Sequence, residues 1–361
     1  MRLVRGVAAA ALMAWAAPAG AQTVVGPADP GLLYSPYNWA VGARSATTIN
    51  PGAYLRTLFG GASVAATFDV AHDAAPLSEV ECRVDGVGSW TVAAVAASVS
   101  CPVPAQTASA PFHSLELVVK STSERVNRWD AAAPGSAVVF TGLSLASGAR
   151  VVAPAAAPCD VLFYGDSVME GVRVLDIAQP LDTDRNDAVA GWAWQAGKAL
   201  GCEFGLVAFG GSGLAGPGSG GVPPLAASFG QVFAGSPRAF VPAPALIVVN
   251  DGANDANVAA PAFEAVFAAT LRAILAATPA DSPVAVMRTF LGIQAAPTLA
   301  AVRAVGSPRV TYVDTSGFLD KALGMDDIGL HPTAANDQAR VGPMSAAALR
   351  AVLLAGRDGR K

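Results

Sequence analysis

The pattern of apolar and polar positions differs between the two halves of the chain. In residues 64–70 and 113–119 apolar side chains alternate with polar or small ones, and a period of two indicates strands with one buried face. Residues 82–86 lead into an Asp-Gly turn, from which residues 89–95 return, as in a β-hairpin. We therefore predict an antiparallel β-sandwich of the jelly-roll type over residues 22–150.

The second half alternates short apolar runs with longer segments of helical periodicity. Strands buried on both faces of a parallel sheet are apolar throughout, and five such runs occupy residues 161–164, 204–209, 246–250, 284–287 and 310–313. Apolar residues recur at helical spacing in residues 192–200, 261–277, 298–305 and 343–354. This alternation predicts a doubly wound α/β/α domain with a five-stranded parallel sheet over residues 159–361. The Ala- and Pro-rich residues 151–158 are typical of a short, stiff linker.

The first 21 residues have the pattern of a secretory signal peptide. Arg2 and Arg5 precede an apolar stretch that ends before Pro18, and the small residues Ala19-Gly20-Ala21 follow. This stretch is shorter than the roughly 20 apolar residues that a membrane-spanning helix needs. We expect cleavage after Ala21 and export to the periplasm or the medium, with no integral membrane segment in the mature chain.

Composition limits the classes of partner. Hydrophobic residues make up 53% of the 361 residues and charged residues only 14%, which suits a chain with a large core rather than a disordered one. The chain has 23 basic and 27 acidic residues and a formal charge of -4. Because it has no basic run beyond a short C-terminal tail, it lacks the positive field that attracts nucleic acid. We expect no nucleic-acid partner.

Export changes how the four cysteines are interpreted, because an oxidising compartment permits disulfides. Cys82 and Cys101 lie in the first half of the chain, and Cys159 and Cys202 lie in the second. Each pair flanks segments that are predicted to be neighbouring strands. We therefore expect bonds between Cys82 and Cys101 and between Cys159 and Cys202, although four cysteines allow three connectivities. Their spacing does not match a zinc site.

Ser167 is the candidate nucleophile. It follows the first apolar run of the α/β domain in Gly165-Asp166-Ser167 and precedes a helix predicted over residues 168–175. A strand-to-helix turn holds a hydroxyl at an exposed tip near a helix N-terminus. By itself this tripeptide is equally well explained as the N-cap of the next helix.

Two further segments offer candidate donors to an oxyanion. Gly213 follows the second apolar run, and its main-chain N–H can approach a substrate oxygen; Asn254 follows the third run and offers a side-chain amide. Asn254 is also explained by a turn, since Asn favours turns. Residues 211–216 match the Gly-x-Gly-x-x-Gly fingerprint of dinucleotide sites, but residues 228–240 lack the acidic residue that such a site needs.

His331 is the candidate general base. It is the only histidine after residue 113, and imidazole is the side chain that ordinarily titrates near neutrality. An acid beside the ring orients it and stabilises the imidazolium that forms when Ser167 loses its proton. Asp326 and Asp327 both stand close by in the sequence.

The ordered set of these segments resembles the SGNH hydrolase (GDSL-type esterase) superfamily, from Cys159 to the C-terminus. The segments are Gly165-Asp166-Ser167, Gly213, Gly252-Ala253-Asn254-Asp255 and residues 327–331. The resemblance implies that Ser167 is the nucleophile and His331 the base. It also implies an oxyanion hole formed by the main-chain N–H groups of Ser167 and Gly213 and the Asn254 side chain.

One position departs from the family pattern. The family usually has its acid three residues before the histidine, where this chain has Ile328. We expect Asp327 to serve instead, through a bulge at Gly329. Asp326 is one alternative, and a main-chain carbonyl that leaves a Ser167–His331 dyad is another.

A β-sandwich ahead of such a domain is similar to the architecture of carbohydrate esterase family two, whose members remove acetyl groups from plant polysaccharides. This resemblance implies an exported serine esterase that hydrolyses acyl esters, O-acetyl esters above all, of a carbohydrate substrate, with no metal or organic cofactor. Three alternatives stay open: an O-acetyltransferase that uses the same Ser167, a lipolytic esterase of small or lipid esters, and a non-catalytic glycan-binding protein.

Overall fold

A computed structural model describes residues 21–130 and 135–358. Apart from Ala21, the predicted signal peptide lies outside the described residues. The strands of the first half are β1 (Thr23–Val25), β2 (Leu33–Tyr34), β3 (Ala40–Val41), β4 (Ala46–Thr48), β5 (Tyr54–Gly60), β6 (Val64–Phe68), β7 (Glu79–Val84), β8 (Thr91–Ala94), β9 (Ser98–Cys101), β10 (Phe112–Ser121), β11 (Val138–Leu145) and β12 (Val151–Val152).

These strands form two antiparallel sheets that pack face to face. One has the order β3-β4-β11-β6-β9 with β1 added to β11, and the other has the order β12-β5-β10-β7-β8 with β2 added to β5. Alternate residues of both sheets, such as Leu55, Leu117 and Phe140, are buried between them. Asp85 and Gly86 both have left-handed backbones where the chain leaves β7, as an Asp-Gly turn requires. The predicted antiparallel sandwich is confirmed.

The second half alternates strands and helices. In chain order it contains β13 (Asp160–Gly165), α1 (Ser167–Glu170), α2 (Asp182–Arg185), α3 (Trp192–Leu200), β14 (Glu203–Ala208), α4 (Leu225–Ser228), β15 (Gln231–Phe233), β16 (Ser236–Pro237), β17 (Leu246–Asn250), α5 (Ala260–Ala277), β18 (Val284–Met287), α6 (Ala295–Val305), β19 (Val310–Val313), α7 (Ala334–Asn336) and α8 (Gly342–Asp358). Single 3-10 turns occupy Ser219–Gly221, Ala253–Asp255 and Lys321–Leu323, and a π turn, Asp337–Val341, joins α7 to α8.

Strands β13, β14, β17, β18 and β19 form one parallel sheet in the order β14-β13-β17-β18-β19. The predicted five-stranded parallel sheet is therefore confirmed. The strand order reverses at β13, which lies between β14 and β17, and the carboxyl ends of the strands at such a reversal are where this class of fold binds ligands. Both β13 and β17 lead directly into segments that the sequence singles out.

One predicted helix is much shorter than expected. The sequence predicts a helix over residues 168–175. Helix α1 instead ends after one turn at Gly171, which has a φ of 81°. A Cβ at Gly171 would lie 2.3 Å from the carbonyl oxygen of Asp187. The chain near Asp187 therefore packs against the point where α1 ends. Sequence periodicity does not report such a contact.

The two halves are in direct contact. The predicted linker begins with β12, which pairs with β5 of the sandwich. Tyr54 of β5 packs in the same core cluster as Phe163 and Phe204 of the parallel sheet. Its hydroxyl donates to Glu203 Oε2 at 2.6 Å and accepts the Phe204 N–H at 3.1 Å. The sandwich therefore shares a core with the α/β domain.

Both expected disulfides are present. Cys82–Cys101 joins β7 to β9, and so links the two sheets of the sandwich, while Cys159–Cys202 joins the segments that precede β13 and β14. Among the described helices, only α5 is long and apolar enough to cross a membrane by length and composition. Its Phe263, Phe267 and Leu271 are buried in a core cluster with residues of the parallel sheet.

Candidate active site

Ser167 is the first residue of α1, directly after β13. The Asp166 side chain caps this helix by accepting the Val168 N–H at 3.0 Å. Among the hydrogen bonds of the described residues, none has the Ser167 N–H as its donor. The turn thus presents both the hydroxyl and the main-chain N–H of Ser167 at the carboxyl edge of the sheet.

His331 and Asp326 face each other across a tight turn that precedes α7. Met325 and Pro332 form an antiparallel bridge at its base, and the Asp326 N–H donates to the His331 carbonyl at 2.8 Å. Gly329 has a φ of 68°, a conformation that glycine adopts at low cost. This turn fixes the acid and the base relative to each other.

Folding brings Ser167, His331 and Asp326 into one hydrogen-bonded chain. His331 Nε2 lies 2.9 Å from Ser167 Oγ, and His331 Nδ1 lies 2.8 Å from Asp326 Oδ2. All three residues are at least nine-tenths buried. Such a chain is able to pass a proton from the hydroxyl to the imidazole.

The Asp326 carboxyl is held in its charged form. Burial by itself favours the neutral acid, but hydrogen bonds from the His331 ring and from the main-chain N–H groups of Leu330 and His331 hold the pKa of Asp326 below its usual range. The carboxylate therefore accepts from Nδ1–H, which leaves the Nε2 lone pair directed at Ser167.

The prediction that Asp327 orients the His331 ring is wrong, because the geometry places Asp326 there. Its carboxylate contacts Arg173 and its side chain is 54% exposed, whereas Asp326 contacts the imidazole. The sequence predicts a bulge at Gly329 that brings Asp327 to the ring, but Gly329 is left-handed. Instead it closes the turn so that Asp326, five residues before His331, lies opposite the ring, and Asp327 lies on the outer side.

Asp166, the residue before Ser167, belongs to a group of three buried carboxyl residues with Asp251 and Asp255. Burial raises the pKa of Asp166 to about 6, although hydrogen bonds from the Val168 and Ala253 N–H groups oppose this shift. Burial, together with the neighbouring Asp166 and Asp255, raises the pKa of Asp251 well above its usual range. The resulting cluster retains a proton at a pH where exposed carboxyl groups are ionised.

Asn254 lies at the carboxyl end of β17, in the Ala253–Asp255 turn. Its Nδ2 donates to the Ser212 carbonyl at 2.7 Å, and the residue is exposed. An amide nitrogen carries two hydrogens, and this bond engages one of them. The other is available to a substrate oxygen.

Gly213 lies in the loop that Asn254 contacts, but its N–H is engaged. It donates to the Gly216 carbonyl at 3.1 Å, so in this conformation it is not free to bind a substrate oxygen, contrary to the expectation. Asp255 fixes the loop by accepting the N–H groups of Leu214 and Ala215 at 2.8 and 3.1 Å. A Cβ at Gly213 would lie 2.6 Å from the Asp255 carboxylate.

A small, mainly apolar pocket lies against the residues that flank Ser167 and His331 in the chain. It is lined by the chain neighbours of both residues and by the segment after β18, and the lining comprises Asp166, Val168, Asn250, Ala253, Thr289, Phe290, Leu291, Leu319, Leu330 and Pro332. Neither Ser167 nor His331 is itself among the lining residues.

Sequence reasoning missed two residues that shape this site. Asp255 directly follows Asn254, and a charged residue is rare enough in this chain to draw attention to it. Its bonds to the N–H groups of Leu214 and Ala215 depend on the fold. Arg173, which contacts both Asp326 and Asp327, had no sequence signal, because its position depends on a turn that periodicity does not predict.

Comparison of the sequence with protein-family models and with characterised proteins finds no match, whereas comparison of the fold finds many. A family two carbohydrate esterase from Cellvibrio japonicus is 19% identical, with a TM-score of 0.75 over 92% of this chain and 98% of that one. An acetyl xylan esterase from Butyrivibrio proteoclasticus is 12% identical, with a TM-score of 0.69 over 90% and 97%. A salicylyl-acyltransferase from a tetracycline biosynthetic pathway is 16% identical, with a TM-score of 0.61 over 91% and 98%.

These matches extend over both halves of the chain. They show that the sandwich followed by the parallel-sheet domain is one shared architecture, which is the fold that the resemblance to the SGNH superfamily and to carbohydrate esterase family two implies.

Proposed function

We propose that this chain, which has the two-domain fold of the family two carbohydrate esterases, is an exported serine esterase that hydrolyses acyl esters of a carbohydrate, O-acetyl esters above all. The observation that carries the proposal is the hydrogen-bonded chain from Ser167 through His331 to Asp326. It lies at the carboxyl edge of the parallel sheet, and a small, mainly apolar pocket lies against the chain neighbours of Ser167 and His331.

In the proposed reaction His331 Nε2 takes the Ser167 proton as Oγ attacks the ester carbonyl, and Asp326 stabilises the imidazolium. The imidazolium then donates this proton to the leaving sugar oxygen, and the acyl group stays on Ser167. In the second half, His331 takes a proton from water, the hydroxide oxygen attacks the acyl carbon, and Ser167 regains its proton as the acid leaves.

Two donors support stabilisation of the developing oxyanion in the described conformation. They are the Ser167 main-chain N–H and the second amide hydrogen of Asn254. Donors aimed at the oxyanion act strongly because they are already oriented. Gly213 joins them in a conformation in which its N–H leaves the Gly216 carbonyl.

Different observations support the proposed substrate and the proposed export of the protein. The pocket against the chain neighbours of Ser167 and His331 is small and mostly apolar, which favours a short acyl group, and two structures of the same fold are esterases of carbohydrate or of acetylated xylan. Both disulfides suit an oxidising compartment outside the cytosol, in agreement with the predicted signal peptide and cleavage after Ala21.

The test is hydrolysis of p-nitrophenyl acetate, butyrate and octanoate, followed by release of acetate from acetylated xylan. We expect the acetate ester to be preferred, and S167A and H331A to lower the rate by at least about 10³-fold. The exposed Ser100 and His72 provide matched controls, S100A and H72A, that should retain full activity. Wild-type activity in S167A, or no hydrolysis of any ester, would refute the proposal.

Acyl transfer is the second candidate, since one structure with this fold is an acyltransferase. Transfer and hydrolysis share the acyl-enzyme and differ in whether a sugar hydroxyl or water attacks it. Adding xylo-oligosaccharide to the acetyl ester assay separates them, because a transferase acetylates the sugar whereas an esterase releases acetate.

Preference for the octanoate ester would instead indicate a lipolytic enzyme. Glycan binding that S167A leaves intact, without turnover, would indicate a binding protein.

A further inference from the structure

Arg173 contacts the same carboxylate oxygen as the proposed general base. Its Nε donates to Asp326 Oδ2 at 2.9 Å, while His331 Nδ1 lies 2.8 Å from that oxygen. An Nη of the same guanidinium contacts Asp327. The Asp326 carboxylate is therefore held on one side by the imidazole and on the other by a fixed cation.

The backbone of Arg173 is in a conformation that side chains rarely adopt. Its φ is 57°, in the left-handed region that costs a non-glycine residue of ordinary bulk some strain. The Arg173 N–H donates to Asn186 Oδ1 at 2.8 Å, and Asn186 is buried. The next carbonyl, of Val174, accepts the Ala334 N–H at 2.9 Å. A glycine would adopt this backbone conformation at lower cost. The presence of an arginine therefore indicates that its side chain has a role.

Arg173 also joins the two segments that carry the proton relay. It follows Ser167 by six residues, on the loop after α1, and it reaches the turn between Met325 and Pro332. That turn is exposed on its outer side, where Ile328 is 64% exposed. The contact between Arg173 and Asp326 therefore joins the segment that begins at Ser167 directly to the turn that contains Asp326 and His331.

The charges near the ring are consistent with this role. The guanidinium contacts two carboxylates, Asp326 and Asp327, and of these two Asp326 is the one that contacts the His331 ring. The carboxyl of Asp166, the residue before Ser167, accepts the N–H groups of Val168 and Ala253. The arginine thus orients a carboxylate that stays charged, in agreement with the lowered pKa of Asp326.

We propose that Arg173 is a positioning residue that holds Asp326 against His331, and so makes an acid five residues before the histidine effective. This inference rests on the proposed function and adds a fourth residue to its relay. Arg173 does not touch the reacting atoms; it acts through the carboxylate, and its loss should lower kcat and leave KM nearly unchanged.

The principal test is the variant R173G, which removes the guanidinium and relieves the strained backbone. We expect kcat to fall by about 10- to 100-fold, as for a misplaced catalytic group, with KM within about 3-fold of wild type. The conservative variant R173K should be intermediate. Because the Arg173 side chain is 22% exposed, guanidinium ion added far below denaturing concentration should restore part of the R173G activity, whereas D326N should not respond.

The exposed Arg125 provides the matched control, since R125G should keep wild-type kcat with or without guanidinium. Wild-type kcat in R173G would overturn the proposal. A loss that neither lysine nor guanidinium restores would also overturn it, because that outcome indicates only a structural role.

A second readout separates this inference from the proposed function. The chain has three histidines, so the ring nitrogens of His331 can be assigned by nitrogen-15 NMR with H331A as reference. In wild type the Nδ1 proton should be protected from exchange by Asp326, and in R173G this protection should fall by at least about 10-fold. If wild type hydrolyses no ester, the proposed function fails, while unchanged protection in R173G would refute the positioning role by itself.

Discussion

Arg128 and Glu170 form a buried ion pair across the boundary between the sandwich and the α/β domain. Arg128 lies on the loop after β10, and its Nη1 and Nη2 lie 2.5 and 3.3 Å from the two Glu170 oxygens. Glu170 is the last residue of α1 and also accepts the Gly210 N–H. Through this pair the sandwich contacts α1, which begins at Ser167, and the loop at Gly210.

Removing one partner of this pair should be strongly destabilising. Burial raises the pKa of Glu170 to about 7 even though the Arg128 charge opposes the shift, so R128M leaves a buried acid without its cation. We expect R128M to lower the free energy of unfolding by about 3–5 kcal/mol, and R128M/E170M to lower it less. Urea unfolding of the three proteins measures this, and a double variant less stable than R128M would contradict it.

Asp326 and Asp327 should differ sharply in their effect on catalysis. D326N keeps the shape of the side chain but removes the charge and the correct acceptor for His331 Nδ1–H, so kcat should fall by about 10²- to 10⁴-fold. D327N removes only a half-exposed contact with Arg173, and kcat should change by less than about 3-fold. Equal losses in the two variants would contradict the assignment of Asp326 as the orienting acid.

The sequence predicts the sheets of this protein better than its site. Strands β17, β18 and β19 and helix α3 have the predicted bounds, because burial on both faces of a sheet or along one face of a helix leaves a clear apolar pattern. The early end of α1 depends on Gly171 and on its contact with Asp187, and periodicity carries no trace of such a contact.

The orienting acid illustrates the same limit within a single turn. The sequence narrows the acid to Asp326, Asp327 or a carbonyl, but which of them reaches His331 depends on where the turn closes. The bridge between Met325 and Pro332 and the left-handed Gly329 decide this. Which of two adjacent side chains faces the ring depends on how the turn folds, and local composition does not report it. The engaged N–H of Gly213 is likewise a property of the folded loop.

Asn254 should contribute to the rate rather than to binding. Its free amide hydrogen is proposed to act on the oxyanion, so N254A should lower kcat by about 10²- to 10³-fold with KM little changed. Asn257 is also exposed and lies three residues further on, which makes N257A the matched control. Since N254A also loses the bond to the Ser212 carbonyl, a thermal melt should accompany the kinetics. An unchanged kcat would remove Asn254 from the oxyanion hole.

The Cys159–Cys202 bond should stabilise the fold without affecting catalysis. It closes a loop with a sequence separation of 43 residues, for which chain entropy gives about 4 kcal/mol. It lies before the amino ends of β13 and β14, whereas Ser167 and His331 lie at the opposite edge of the sheet. C159A/C202A should therefore melt at a lower temperature and keep wild-type kcat below that temperature. A loss of kcat in the folded variant would contradict this separation.

Glu81 should make the protein less stable as the pH rises. The residue is 2% exposed in β7, and burial, with a further contribution from Asp187, raises the pKa of its carboxyl to about 9. In an unfolded chain a Glu carboxyl has a pKa of about 4.3. Between these two values the folded protein keeps a proton that the unfolded chain has released, so folding takes up a proton.

The stability linked to this proton uptake is present in full below the pKa of Glu81 in the unfolded chain. It decreases as the pH rises towards the pKa of Glu81 in the folded protein. E81Q is neutral at every pH and removes this dependence. The stability of E81Q relative to wild type should therefore increase between pH 5 and pH 8, by more than about 1 kcal/mol. Urea unfolding at constant ionic strength measures the change, with E264Q, at a partly exposed helical position, as the control. A difference between E81Q and wild type that is the same at both pH values would show that Glu81 is ionised in the folded protein.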